Sequence, residues 1–319
     1  MKQSAMKNKI LFLSIFTFAT VSFSFAQTAN KKKTDLESDN VKGIVMQINQ
    51  KYLEAGEKDG KDTIGNQFES TDRNFEMHYN AKGYVAWATF YKTGRTLDYR
   101  YTFKYDEAGN KIEETWFDAD NALDNRITRK FSNKGFLMEL KKYTDTTAEA
   151  TEKYVYEVDP VGNPLKSSFY DENGVLMGTN TYIYDTYGNN IETDNFDGKG
   201  KPLGKIICTY DGRRLKTAED AYAAKGEIMT KKKFQYEYRG NLTQQQNFDN
   251  NGKLVEKNVF VFNEQGDENL WNNFDRTGYA IYNYTYKYEY DSHGNWIKKW
   301  QMKDGKPVFV NVREITYAQ

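Results

Sequence analysis

The chain has 319 residues, 45 basic against 45 acidic, and a formal net charge of +0, so its bulk charge gives nucleic acid no reason to bind. A mean hydropathy of −0.87 would by itself suggest disorder. However, 25 Tyr, 20 Phe and 5 Trp make up 16% of the residues, which points to a fold built on rings.

Lys2, Lys7 and Lys9 precede an apolar run over residues 10–25, and Ser24 and Ala26 place small residues before Gln27. This is the pattern of a secretory signal peptide spanning 1–26, a little short for a membrane span. Its removal leaves 42 bases against 45 acids, a net of −3. Residues 27–40 are polar and read as a flexible leader. Residues 41–72 read as an N-terminal capping segment. Within it Ile44, Met46 and Ile48 favour a strand, although Val41, Ile44, Val45, Ile48 and Tyr52 also fit a helical stripe.

From 73 to 319 the chain reads as about nine repeats. One phrase is Tyr105-Asp106-Glu107-Ala108-Gly109-Asn110, repeated from Tyr184 and Tyr290. Looser copies begin at Tyr79, Phe131, Val158, Tyr210, Tyr238 and Phe262, giving spacings of 26, 26, 27, 26, 26, 28, 24 and 28. A second aromatic–Asp–x–x–Gly phrase follows each by roughly half a repeat, as at Tyr170, Phe196, Phe248 and Phe274. Asp favours the first position of a type I turn, and Gly supplies the positive φ that lets the chain re-enter a ladder. Each repeat therefore carries two strands and two hairpin turns. Asp211-Gly212 and Arg239-Gly240 look like tighter two-residue hairpins.

Residues 282–290 alternate five tyrosines with four polar residues, a period of two that a helix cannot use. Residues 308–317 read as the closing strand. The expected fold is all-β: tandem antiparallel hairpin repeats forming a long, twisted or coiled meander sheet with one ring-lined face turned inward.

The Tyr-x-Tyr-Asp-x-x-Gly-Asn phrase at 182–189 and 288–295 resembles the YD-repeat (RHS-type) family over residues ~73–317. The resemblance implies a coiling antiparallel ribbon, with associations to bacterial cell surfaces, contact-dependent competition and carbohydrate binding. Nine repeats are few for the closed shells of larger members.

Chemistry is sparse. No nucleophile triad, phosphate loop or zinc spacing is visible, and neither an enzyme, a cofactor nor a metal is expected. His78 and His293 lie in distant repeats and read as packed or solvated side chains. The turn aspartates, one every half repeat, read as turn formers and not as calcium ligands. Cys208, the single cysteine, cannot form an internal disulfide and reads as a small buried hydrophobe. Among the tryptophans Trp271, Trp296 and Trp300 are the candidate ligand-binding residues, because sugar rings stack on exposed indoles. Trp300 shares the parity of Trp296 and is expected on the same side of its strand.

The sequence therefore suggests an exported, non-enzymatic binding or scaffold protein of the periplasm or cell exterior, with a surface glycan or envelope protein as partner and no membrane association beyond the signal peptide. One alternative is an accessory or immunity component of an interbacterial toxin system. Another is an outer-membrane β-barrel, favoured by strand number and length but opposed by short turns on both sides and by frequent charge.

Overall fold

The computed structural model describes residues 33–70, 72–144 and 148–318. The signal peptide and the first part of the leader lie outside the described residues. A short helix α1 (Asp35–Ser38) is followed by a hairpin of β1 (Val45–Lys58) and β2 (Lys61–Gln67). A meander then runs through β3 (Phe75–Tyr79), β4 (Val85–Tyr91), β5 (Leu97–Tyr105), β6 (Lys111–Phe117), β7 (Leu123–Phe131), β8 (Leu137–Thr144) and β9 (Glu152–Val158). It continues through β10 (Pro164–Asp171), β11 (Leu176–Tyr184), β12 (Asn190–Asp197), β13 (Pro202–Tyr210), β14 (Lys216–Ala223) and β15 (Ile228–Tyr236). The last strands are β16 (Leu242–Phe248), β17 (Leu254–Phe262), β18 (Glu268–Asp275), β19 (Ala280–Tyr290), β20 (Trp296–Lys303) and β21 (Lys306–Tyr317).

The sheet is closed, which corrects the expectation of an open meander. β1 pairs antiparallel with β21 from Val45↔Tyr317 to Glu54↔Phe309, and its first half also pairs with β3 from Gln47↔His78 to Gln50↔Phe75. Every other neighbour in the meander is paired in turn, so β2 alone of the 21 strands lies outside a ring of twenty. A row of unpaired backbone groups at each end of the meander is costly, and β1 satisfies both rows at once. Twenty strands ~4.8 Å apart give a perimeter of ~96 Å, a ring about 30 Å across if round. Two facing side-chain layers fill only ~10 Å of that.

The turns fix the two rims. At the first rim, loops such as 106–110, 159–163 and 185–189 share one geometry. The first residue's N–H donates to the carbonyl of the fifth, and the fourth residue's N–H donates back to the carbonyl of the first. The first Asp also accepts from the N–H groups of the third and fifth residues, as Asp185 does from Tyr187 and Asn189 at 2.9 Å each. Gly188 takes φ 82°, as a type I turn closed by a G1 bulge requires, and beyond the turn the ladder shifts by one residue, from Tyr184↔Asn190 to Ile183↔Glu192, leaving Ile191 as an extra residue. The two turns expected to be tighter have this same geometry. Asp211 closes on Leu215 with Arg214 at φ 66° in the glycine place, and Glu237 closes on Asn241 with Gly240 at φ 92°. Turn starts from Asn80 to Asp291 are therefore spaced 26, 26, 27, 26, 26, 26, 26 and 28, and the irregularity read around residues 210–241 is absent.

The segment read as a flexible leader is ordered from residue 33. Thr34 and Glu37 form a reciprocal capping box on α1. The Leu36 N–H donates to the Gly83 carbonyl, Asn40 Nδ2 donates to Gln265, and Lys42 Nζ donates to Gly294. Residues 36 to 42 thus reach from the β3–β4 turn to the β17–β18 and β19–β20 turns. So short a segment can bridge turns that far apart around the ring only as a chord on the concave side. It packs Leu36 and Val41 onto Val45, Ile48, Tyr79, Val85, Tyr101 and Ile315. Those residues therefore mark the inner face, and burying Leu36 contributes about 1.5–3 kcal/mol.

Faces follow from the pleat. Tyr99, Tyr101, Phe103 and Tyr105 share the inner face with Trp116. Lys104, Lys130, Lys205 and Lys298 lie on the outer face, paired across strands to Glu113, Glu139, Glu192 and Glu289 at 2.7, 3.4, 3.0 and 2.7 Å. Both faces are mostly half-buried, as in a single wall wetted on each side.

Two predictions follow from the turns. Gly188→Ala is expected to cost about 1–2 kcal/mol, since nothing crowds a Cβ there and only the positive φ is penalised. Gly109→Ala is expected to cost more, because the Tyr84 ring occupies the Cβ position. Urea denaturation of both variants tests the ranking.

The Lys201 N–H on its carboxylate holds Asp197 below the usual range, and the Leu215 N–H does the same for Asp211. A depressed folded pKa gives stability that is whole above the unfolded value of ~3.9 and lost as pH falls through the lower folded values. Melting temperature is expected to fall below about pH 4. The fall should be shallower in the Asp197→Asn, Asp211→Asn double variant.

Candidate functional site

The inner wall carries the side chains best suited to hold a ligand. Trp271 in β18 stacks on Tyr282 in β19 with centroids 5.3 Å apart, and Tyr282 stacks in turn on Tyr284 at 6.0 Å. Tyr282 is 44% exposed and gives the stack an open end. Beside it lies an amide network drawn from three neighbouring strands. Glu256 accepts from Asn247 at 2.8 Å and from Asn273 at 2.7 Å, and Asn258 Oδ1 accepts from Asn273 Nδ2 at 2.9 Å and Trp271 Nε1 at 3.0 Å. Asn273 is 4% exposed, so its amide is spent on the network, whereas half-buried Asn258 keeps its NH₂ group unpaired.

The three tryptophans singled out from the sequence are not brought together. Trp271 lies in the patch just described. Trp296 is on the same inner face but nearer the first rim, edge-on to Tyr288 and under the Arg313 guanidinium at 3.5 Å. Trp300 is on the opposite face, 4% exposed, donating to Glu289 at 3.0 Å. This corrects the expectation that Trp296 and Trp300 share a side. The register slips between Glu289 and Tyr290, so the bulge after the 291–295 turn reverses the parity of the residues beyond it. Trp300 is packed and buried there.

The other residues weighed from the sequence are also placed. His78 stacks on Trp87 at 3.7 Å and bonds Glu76, while His293 stacks on Tyr317 at 3.8 Å. Cys208 is buried, and burial pushes its thiol up from the ordinary value. Among the described residues no group of three or more His, Cys, Asp and Glu could hold a metal ion. No helix among them is long and apolar enough to cross a membrane.

A cleft at the first rim was not legible from the sequence. Asp39, Asn40 and Val41 of the docked segment face Asp267, Trp296 and Arg313 of the wall. Burial, then the charge of Asp35, raises the Asp39 carboxyl, whereas burial lowers Arg313 to about 10, which leaves it charged at neutral pH. Asn295 holds the segment here, accepting from the Lys42 N–H and donating to the Lys42 carbonyl, both at 2.7 Å.

No family model matches the chain, and no curated protein does. Among solved structures it is similar to a porin-like protein from Bacteroides uniformis, with 11% identity, a TM-score of 0.36, and 85% of this chain and 98% of that one covered. A porin-like protein from Bacteroides vulgatus aligns at 10% identity and a TM-score of 0.28, covering 86% and 98%. A chain of the TcdB2-TccC3-Cdc42 complex aligns at 13% identity and a TM-score of 0.27; 83% of this chain spans only 18% of that one. Similarities this loose carry no inference about fold or role.

Asn273→Ala strips a donor from both Glu256 and Asn258 and is expected to destabilise by about 1–3 kcal/mol. Chemical denaturation checks the loss, and Asn247→Ala, which releases one bond to Glu256, should cost less.

Proposed function

We infer that the protein is an exported, non-enzymatic β-barrel of the cell envelope, whose lumen is a binding chamber closed at one rim by residues 33–44. The observation that carries this reading is the division of the wall into two faces. Stacked rings, amides and several ion pairs line a lumen too wide to fill with side chains, while the outer face carries charged residues along its strands, among them cross-strand ion pairs. The Asp–x–x–Gly–Asn turns of the first rim support keeping the YD-type resemblance within this reading. The exposed end of the Trp271–Tyr282–Tyr284 stack supports a sugar as the kind of ligand bound.

Of the roles drawn from the sequence, the outer-membrane barrel is the one that calls for ring closure, and closure favours it as a second reading. Such barrels face lipid with an apolar band, and a Lys or Arg at the bilayer midplane costs ~2–4 kcal/mol. Here Arg100, Arg126, Lys205, Lys231 and Lys257 lie on the outer face within their strands. This observation favours a barrel whose outside meets water.

Fractionation of cells expressing the whole chain separates the two. The protein is expected in the osmotic-shock or culture fraction without detergent. Recovery only in detergent, with the strands shielded from added protease, would establish the membrane reading instead.

A further inference from the structure

Most cations on the inner wall are paired with carboxylates. Arg129 meets Glu114 at 3.2 Å, Lys142 meets Glu152 at 2.7 Å, and Glu219 takes both Lys216 and Lys232 at 2.9 and 2.8 Å. Three others, gathered on one side, are not. Arg73 sits over Tyr52 at 4.6 Å, Lys299 over Tyr286 at 4.1 Å, and Arg313 over Trp296 at 3.5 Å. Among the described residues none of the three has a carboxylate oxygen within 4.0 Å. Arg313 Nε donates to Gln50 Oε1 at 2.8 Å, which leaves both terminal nitrogens of the fork unused.

Their order along the barrel follows from the strands. β1 starts at the first rim and runs to the second, and Tyr52, with Arg73 over it, is opposite Asn311, which is itself opposite Lys299. Lys299 is opposite Tyr288, in mid-wall. Arg313 is opposite Gln50, closer to the docked segment. The three charges form a short stripe across neighbouring strands, its Arg313 end one same-face step nearer the docked segment, where Asp39 and Asp267 bound it. Lys111 over Phe103 at 3.7 Å is a fourth such cation, further round the wall.

We propose that this stripe binds an acidic oligosaccharide, a chain of carboxylate-bearing sugars lying along Arg73, Lys299 and Arg313 inside the lumen. The stripe supplies positive charges with no carboxylate oxygen within 4.0 Å among the described residues, each held over a ring that keeps it at the wall. Its neighbours Tyr282, Tyr284 and Trp271 supply an exposed ring stack and Asn258 a spare amide donor, which suit pyranose faces and hydroxyls. An acidic peptide fits less well at the stripe: peptides are commonly held by adding a strand to a free sheet edge, and the free edge among the described strands is that of β2, outside the ring. The proposal rests on the hollow-barrel reading.

Calorimetric titration of the whole exported protein tests it, with tetragalacturonate, neutral cellotetraose and tetraglutamate as probes. Tetragalacturonate is expected to bind, more weakly as salt rises, and about tenfold more weakly in Lys299→Met and in Arg73→Gln. Arg73 lies outside the strands, so its variant keeps the test valid if Lys299→Met folds poorly. No binding of tetragalacturonate, equal binding in both variants, equal binding of cellotetraose, or tighter binding of tetraglutamate would each overturn the proposal. The titration works equally in detergent, so a membrane location would sink the water-facing reading and leave this result standing on its own.

Discussion

Everything in this molecule depends on one strand having both its edges used. A meander of nineteen strands ends in two rows of unpaired amides and carbonyls, and lengthening it moves those rows without removing them. β1 lies between β3 and β21 and pairs with both. The pairing Val45↔Tyr317 spans almost the whole described chain, so it cannot form until the array between has curved far enough to bring its ends together. Closure then fixes the curvature, and the curvature decides which face of each strand is inside.

A closed wall this wide cannot be stabilised as a packed core is. At the first rim Leu36 and Val41 sit on a buried hydrophobic cluster of β1, β3 and β4, and Trp300, Val310 and Tyr52 are buried further along the wall. Elsewhere stability comes from the ladder, from rings stacked between neighbouring strands, and from turns that satisfy their own donors. The outer ion pairs are individually worth ~0–1 kcal/mol, so they do little for stability.

Local features of this fold are readable in the sequence because they repeat. The period of about 26 residues, the two turns per repeat and the ring-lined face all follow from Asp, Gly and alternation. The positions where reading failed are those where a residue other than the usual one fills a turn. Arg214 takes the left-handed place of glycine, so the adjacent Asp211-Gly212 pair looks like a two-residue hairpin. Glu237 stands in for Asp, and alignment on Tyr238 instead of Tyr236 produced false spacings of 28 and 24. Closure was hidden for another reason. Nothing in residues 45–58 names its partners, since pairing between distant strands is set by backbone groups that every residue carries.

The tryptophans show how the same turn chemistry governs the site. Counting by twos from Trp296 to Trp300 predicts one face, and the prediction fails because the register slip leaves Ile297 as an extra residue between Trp296 and Lys298 before regular alternation resumes. The first strand residue after the turn, just before the slip, points inward, which is how Lys111 reaches Phe103, Lys216 reaches Glu219, and Trp296 reaches Tyr288 and Arg313. The turn motif thus does more than reverse the chain: it delivers a chosen side chain to the lumen at the first rim of each repeat. The asparagine that ends it has a matching double use. In four of the nine turns an asparagine braces its own loop, as Asn163 and Asn189 do by donating to Asp159 and Asp185 at 2.8 Å. In the last repeat Asn295 turns to the Lys42 backbone and the Tyr317 hydroxyl. One residue type, at one position of the repeat, therefore closes a loop where a neighbouring repeat follows and anchors the plug where the array ends.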